Sequence, residues 1–385
     1  MARYTYYTAD LATGAISDEL PLYDVTFSTE LNEAGEFRGR LPLGDPRVTV
    51  HRPRELTEPA RAALYVERDG ILVWGGVIWT VKYGSADRHL EISGAGFLSY
   101  FDHRRVLPAD FDPAVTELAS VGVTFTDHDQ SDIARDLVRL AQAHPGGDIR
   151  VRPDSAARSG IPRTLGFPGG QLKSTGEALR ELASLEDGPD FLLDVAYGSD
   201  GRPVRRLRVG TPRLGRRSTG HVWEYGANLT GYTWPVDGAS TAVRVFALGE
   251  QRPGGGEDGD EGGGESEGGQ LVAVAEDLTT GRPLLETEVS YVQISDPEVL
   301  RSQARSALAA VSAPVVLPEL TARADREPLL GSYQVGDEAT VVVRDVFFPD
   351  GTQFDVRITG IEVTPGNDAG EEQVQLTVTP IRRLP

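Results

Sequence analysis

The chain has 385 residues, with 38 lysines and arginines against 58 acids, a formal charge of -20, and no cysteine. That length predicts two or three domains, and the negative balance argues against attraction to nucleic acid or anionic membranes. The missing cysteine excludes disulfide scaffolds, thiolate zinc sites, iron-sulfur clusters and cysteine nucleophiles.

Met1 to Asp10 is polar and tyrosine-rich. No apolar run approaches the ~18 residues of a membrane span, so a soluble chain made without a signal peptide is expected. Residues 1–105 read as short β segments separated by turn residues, which predicts a first, tube-like β-barrel domain. Its clearest piece is Ala63 to Arg68 and Ile71 to Trp74 about Asp69-Gly70, because Asp-Gly supplies the positive φ angles of a two-residue hairpin turn. Gly75-Gly76 then interrupts the pattern, as a bulge or bend would.

Residues 106–235 predict an α+β domain. A helix over Ser131 to Ala143 carries Ile133, Leu137, Leu140 and Ala141 on one face, and Pro145-Gly146 stops it. A second begins at Ser174, with Glu177 completing a capping box and Ala178, Leu182 and Leu185 forming the buried stripe. Phe191 to Tyr197 and Val204 to Val209 follow as a hairpin joined by Gly198 to Gly201.

Residues 236–385 return to β character and predict a second β-barrel domain. Its strands are Thr241 to Leu248, Leu271 to Ala275, Thr340 to Val343, Phe354 to Val363 and Gln373 to Thr379, with one helix from Ser295 to about Val311. That helix opens on a capping box, Ser295-Asp296-Pro297-Glu298. Residues 253–269 hold nine glycines and six acids, a composition expected to stay disordered. A surface insertion and a segment facing a partner or channel both fit it.

Gly76 to Val81 followed by His89 to Ser93 echoes Gly360 to Thr364 followed by Val374 to Val378. Duplication of one barrel and chance likeness between hairpins both account for this. The fold class expected is therefore mainly β, two tube-like barrels flanking an α+β insert.

Chemical motifs are sparse. Asp127-His128-Asp129-Gln130-Ser131-Asp132 has acids in the manner of a calcium loop, but Asp132 stands where glycine is required and Val138 where a bidentate glutamate belongs. A helix cap explains the acids better. The six histidines lack zinc-protease spacing, and there is no nucleophile elbow or Walker loop. Paired glycosidase carboxylates are a matter of spatial separation and stay open. Trp74, Trp79, Trp223 and Trp234 suit barrel cores or subunit contacts better than a sugar platform. Arg205, Arg206 and Arg208, with Arg213, Arg216 and Arg217, suit salt bridges to acidic neighbours.

Several segments together resemble the tail hub, or minor tail protein, of long-tailed bacteriophages infecting actinobacteria. They are Asp10-Leu11-Ala12-Thr13-Gly14 with Glu19-Leu20-Pro21, Phe27 to Gly35, Val73 to Ile78, Ser131 to Val138, Gly231 to Trp234 and Tyr333 to Asp337, in that order. Arginine in place of lysine fits a host of high genomic GC content.

The resemblance implies a non-enzymatic homotrimer at the virion's tail tip, made in the host cytoplasm. Two similar barrels in each of three chains would present a pseudo-sixfold surface to a hexameric distal tail protein or tail tube ring, and threefold symmetry to the tip. Further implied partners are the tape measure protein and tail-tip fibre or spike proteins, with DNA passing through an acidic lumen without specific binding. No cofactor or metal is implied. The expected interface residues are Asp69, Gly70, Trp74, Trp79, Tyr232 and Trp234. No carboxy-terminal lysin or fibre domain is expected to follow Pro385, so a bare hub is expected. The alternative is a cell-wall carbohydrate-binding or cell-wall-degrading tail protein.

Overall fold

The computed structural model describes residues 2–44, 52–155, 158–211, 213–235, 238–251, 269–292, 294–312, 318–366 and 371–381. Except for Gly269, the acidic glycine-rich segment lies outside them. The chain forms two compact units, one of residues 1–183, 189–234 and 317–385, the other of residues 184–188 and 235–316. There is no break at 105. The chain leaves the larger unit beside the expected boundary at 235 but re-enters it at 317, so residues 236–385 do not form one domain.

The larger unit opens with β1 (Tyr4–Asp10), β2 (Ile16–Glu19), β3 (Tyr23–Glu30), β4 (Glu36–Pro42), the single turn α1 (Pro53–Leu56), β5 (Ala62–Arg68), β6 (Ile71–Gly84) and β7 (His89–Gly96). A mixed segment follows as α2 (Leu98–Asp102), β8 (Gly122–Asp129), α3 (Gln130–Ala143), β9 (Val151–Pro153), β10 (Pro162–Pro168), α4 (Thr175–Ser184), β11 (Phe191–Tyr197) and β12 (Pro203–Val209). After β13 (Val222–Glu224) and β14 (Leu229–Thr233) comes the smaller unit, with β15 (Arg244–Gln251), β16 (Gln270–Glu276), β17 (Glu286–Ser290) and α5 (Pro297–Val311). The chain then completes the larger unit with β18 (Glu319–Arg323), β19 (Glu338–Val343), β20 (Thr352–Thr364) and β21 (Gln373–Pro380).

The fold is mainly β, and thirteen strands share one sheet. Within it two lobes repeat. The first has the spatial order β1-β5-β6-β7-β4-β3, with β2 beside β1, and the second β13-β19-β20-β21-β18-β14. Ranked by appearance in the chain, both read 1-4-5-6-3-2. One pairing differs, since β1 meets β5 antiparallel whereas β13 meets β19 parallel. The lobes join where Phe27 to Glu30 of β3 pair with Val363 to Gly360 of β20.

The repeat extends to register. In both central hairpins one residue bulges, between Ile78 and Thr80 and between Ile358 and Gly360. Five pairs follow each bulge, Thr80 to Gly84 against Ser93 to His89, and Gly360 to Thr364 against Thr377 to Gln373. Thr80 thus corresponds to Gly360 and Ser93 to Thr377. The sequence echo, which set Gly76 against Gly360, is displaced by four residues in the first strand and one in the second. The smaller unit occupies the connection between β14 and β18, which in the first lobe is only the turn at 31–35.

The core follows strand alternation. Phe37, Gly39 and Leu41 of β4 turn inward, as do Val374, Leu376 and Val378 of β21, and a single apolar cluster runs through both lobes. Gly75 and Gly76 are not the bulge expected of them, for both lie in register opposite Tyr65 and Leu64. Close approach explains them, because a Cβ on Gly76 would sit 2.2 Å from the Ala95 carbonyl oxygen.

The helices obey their caps. Asp129 accepts from the Ser131 amide at the start of α3, and Ser174 and Glu177 exchange the two bonds of a capping box. For α5 the cap is Asp296 in place of the expected Ser295, accepting from the Glu298 and Val299 amides, with Pro297 as first helical residue. In the smaller unit α5 covers one face of the β16-β15-β17 sheet through Leu300 and Ala304 on Ala247, Ala273 and Ala275.

Two polar links hold the larger unit. Arg205 of β12 is 3% exposed and reads at sequence level as a salt-bridging arginine. Instead Nε donates to the Tyr65 hydroxyl at 2.8 Å, Nη1 donates to the carbonyls of Leu11 and Ile149, and the guanidinium lies 4.4 Å from the Phe97 ring centre. Carbonyl dipoles and an aromatic face take the place of a carboxylate. The second link crosses the lobes, where Arg68 donates from Nε and Nη2 to both oxygens of Glu372 at 2.8 and 2.9 Å and the Tyr4 hydroxyl adds a third bond.

Replacing Arg205 with Met leaves the Tyr65 hydroxyl and two buried carbonyls without their donor. It should lower stability by about 3 kcal/mol in urea unfolding, and a loss below about 0.5 kcal/mol would contradict the role given to it. For Glu372, burial pushes the carboxyl up, but the bonds from Arg68 and Tyr4 outweigh burial and hold it below its ordinary value of 4.5. Its contribution is therefore complete above pH 4.5 and lost as pH falls through the lowered value. Glu372→Gln should cost about 2 kcal/mol at pH 7 and flatten the acid limb of a stability-against-pH curve. An unchanged limb would count against the link.

Candidate functional site

The six residues expected at an interface fall into three environments. Asp69 and Gly70 form the tight turn between β5 and β6 with φ of 50° and 83°. The Asp69 carboxylate accepts from the Arg3 amide at 2.8 Å, which pins the amino terminus to the turn. Ile71 beside it is 67% exposed. This tip is an accessible surface.

Trp74 is not. It is buried, its ring packs 5.3 Å from Phe37, and Nε1 donates to the Ser28 carbonyl at 2.9 Å. Its role in this chain is to brace β3 against β6. Trp79 is half-buried, with Nε1 donating to the Ser99 hydroxyl at 2.8 Å and the ring 4.6 Å from that of His103. As the residue bulged out of the β6-β7 register, it reaches α2 instead of the sheet core.

Tyr232 and Trp234 come together with residues that sequence reading passed over. Trp234 meets Phe354 and Phe348 edge-on at 4.8 and 5.5 Å, Phe348 meets Phe347 at 4.8 Å, and Tyr232 meets Tyr225 at 5.3 Å. The Tyr232 hydroxyl donates to Asp345 at 2.6 Å. Desolvation and this carboxylate push the phenol up to about 12. The Asp345 carboxyl is held down by that hydroxyl and by the Phe348 and Phe347 amides.

Asp345 thereby shapes the β19-β20 connection, the counterpart in the second lobe of the Asp69-Gly70 turn. At its tip Val346 is 97% exposed and Phe347 64%. The signal available in sequence was the adjacency Val346-Phe347-Phe348 next to Pro349-Asp350-Gly351, an apolar run inside a turn.

Where the lobes and the β11-β12 hairpin converge, a cavity of about 290 Å³ is lined by Phe27, Trp74, Leu192, Tyr333, Ile361 and Val363, among others. Its polar wall holds Asp194, bonded to Arg206 at 2.9 Å and Arg208 at 3.2 Å, with Arg208 also donating to Gln334. Those two arginines make the salt bridges expected of their cluster. Arg216 does too, closing on the fully buried Asp337.

Of the acids around His128, Asp129 caps α3 as expected, while His128 lies 3.1 Å from Asp136. Among the described residues no group of three histidine or acidic side chains converges as a metal site would. The features that stand out are surfaces, two hairpin tips and the open edges of a sheet.

The contrast between buried and exposed aromatics is testable by mutation. Trp74→Ala should cost about 3 to 5 kcal/mol by cavity formation, measured by denaturant unfolding. Phe347→Ser should change stability by less than about 0.5 kcal/mol, and equal losses at both positions would contradict this placement.

No family model and no curated protein matches the chain. Among solved structures, the 43 kDa tail protein of prophage MuSo2 from Shewanella oneidensis is similar over 98% of both chains, with a TM-score of 0.59 at 14% identity. The tail protein from Neisseria meningitidis MC58 is similar over 97% of this chain and 96% of its own, with a TM-score of 0.57 at 14% identity. Prophage tail protein gp18 from Listeria monocytogenes EGD-e is similar over 97% of this chain and 94% of its own, with a TM-score of 0.53 at 13% identity. Across nearly its whole length, this chain has the fold of phage tail proteins.

Proposed function

We propose that the protein is a non-enzymatic structural component of a bacteriophage tail, the hub at the tail tip, and acts as a homotrimer that adapts a hexameric tube to a threefold tip. The observation that carries this reading is the repeat of strand order 1-4-5-6-3-2, down to the bulge and the five pairs after it, within one chain. Three chains that each contribute two like lobes present six like surfaces, which is what a sixfold partner requires. The full-length likeness to phage tail proteins supports it.

On this reading the partners are the distal tail protein or tail tube ring, the tape measure protein and tip fibres or spikes. The two hairpin tips, Asp69-Gly70-Ile71 and Val346-Phe347, are equivalent points on the two lobes and serve as contacts for the sixfold ring. Their exposed apolar residues suit burial against another protein. The formal charge of -20 suits a lumen through which DNA passes without adhering. The arginine-rich composition and the motif order support an actinobacterial host for this reading.

Light scattering on the purified full chain tests the assembly. A mass of three chains is expected, and a stable dimer or tetramer would contradict the hub.

A further inference from the structure

The cavity where the lobes meet the β11-β12 hairpin lies wholly within the larger unit. Protein interiors pack to crystal density, with few voids larger than a water molecule. A space of about 290 Å³ between the buried Phe27, Trp74, Leu192 and Ile361 is therefore not ordinary core packing. An apolar cavity of about half that volume stays dry and takes up benzene.

The second lobe closes the equivalent space with its own rings. Before the two bulges Val77 and Ile78 lie opposite Ala95 and Gly94, as Arg357 and Ile358 lie opposite Thr379 and Val378, so Trp74 corresponds to Phe354. Thr26 lies opposite Arg38 and Thr233 opposite Glu319, while Arg38 and Glu319 lie opposite the bulge-marking Ser93 and Thr377. Phe27 therefore corresponds to Trp234. In the second lobe Trp234 and Phe354 meet edge-on at 4.8 Å, and Phe348 joins Trp234 at 5.5 Å. In the first, Phe27 packs on Tyr4 at 6.3 Å and Trp74 on Phe37 at 5.3 Å, and both line the cavity.

The lobes differ in what supplies the third ring. Phe348 comes from the β19-β20 connection, residues 344–351, whereas the β5-β6 connection is Asp69-Gly70 alone. The first lobe keeps the aromatic wall without a ring of its own to set against it. The cavity also has a way in, for Ile71 on its rim is 67% exposed, and a Cβ on Gly331 would meet nothing within 4 Å.

The polar groups on the wall ask for nothing. Asp194 holds Arg208, Arg68 holds Glu372, and Glu33 accepts from Arg180 at 2.8 Å, so a charged ligand finds no free counter-charge. Among the described residues, no lining side chain has a buried polar atom without a partner. Concave apolar sites of this kind select by shape and ring contact.

We propose that this cavity is a binding site for an uncharged aromatic compound of one or two fused rings, which takes the place in the first lobe that Phe348 takes in the second. The site forms within one chain and does not depend on the trimer.

Calorimetric titration of the full chain with 1-naphthol tests it. Saturable binding of one molecule per chain is expected, with a rise in the unfolding midpoint. Naphthalene-1-sulfonate, the same ring carrying a charge, should bind at least about tenfold more weakly. Val335→Phe, which adds a ring from the cavity wall, should abolish binding while the midpoint of the free chain holds or rises. Hydrogen exchange in the native chain reads the site without any substitution, and 1-naphthol should slow it at residues 71–75, 192–195 and 333–335. No saturable binding, equal binding of the sulfonate, or protection confined to other segments would overturn the site.

Discussion

Four residue pairs between β3 and β20 decide how this molecule is organised. Without them the two lobes would be separate sheets, each with an exposed apolar flank. With them Phe27, Ile361 and Val363 share one core, and the strands of both lobes form one strip. The pairing is highly non-local, joining residues about 330 positions apart. Its stability therefore depends on packing on both faces more than on local propensity. Trp74 supplies part of that packing through its bond to the Ser28 carbonyl. The Arg68-Glu372 pair fixes the same two lobes from β5 and the start of β21.

Arg205 plays the corresponding part for the mixed segment. A buried cation without a carboxylate is costly unless its donors are met, and here carbonyls from Leu11 and Ile149 and the Tyr65 hydroxyl meet Nη1 and Nε while the Phe97 ring lies against the guanidinium, Nη2 alone being buried without a hydrogen-bond partner. Each comes from a different stretch of chain, so the guanidinium sets the distance between β12, β5, the end of β1 and the segment before β9. Planar, directional bonds hold these elements in fixed relation better than apolar packing alone.

Local features were legible in the sequence. Asp69-Gly70 identified its turn because two positive φ angles are needed there, Ser174-x-x-Glu177 identified a helix start, and Gly198 to Gly201 identified the β11-β12 turn. Partnership between distant strands was not. Alternating burial in Phe354 to Val363 reveals a strand but not that β3 lies beside it, and the return of the chain from the smaller unit at 317 leaves no composition signal. Gly75-Gly76 was misread because glycine marks a bulge and a close backbone approach equally well. Of the expected interface residues, Trp74 proved to be core, while the exposed Val346 and Phe347 were passed over because aromatics in turns resemble core residues displaced by one position.

In the proposed hub, one chain supplies two equivalent lobes to a ring. Class averages of the assembled particle by electron microscopy test that most directly. Rotational power at sixfold as well as threefold, with the sixfold component strongest at the radius of the two lobes, is the predicted result. A ring with threefold power alone at that radius, or lobes in unrelated orientations, would contradict it.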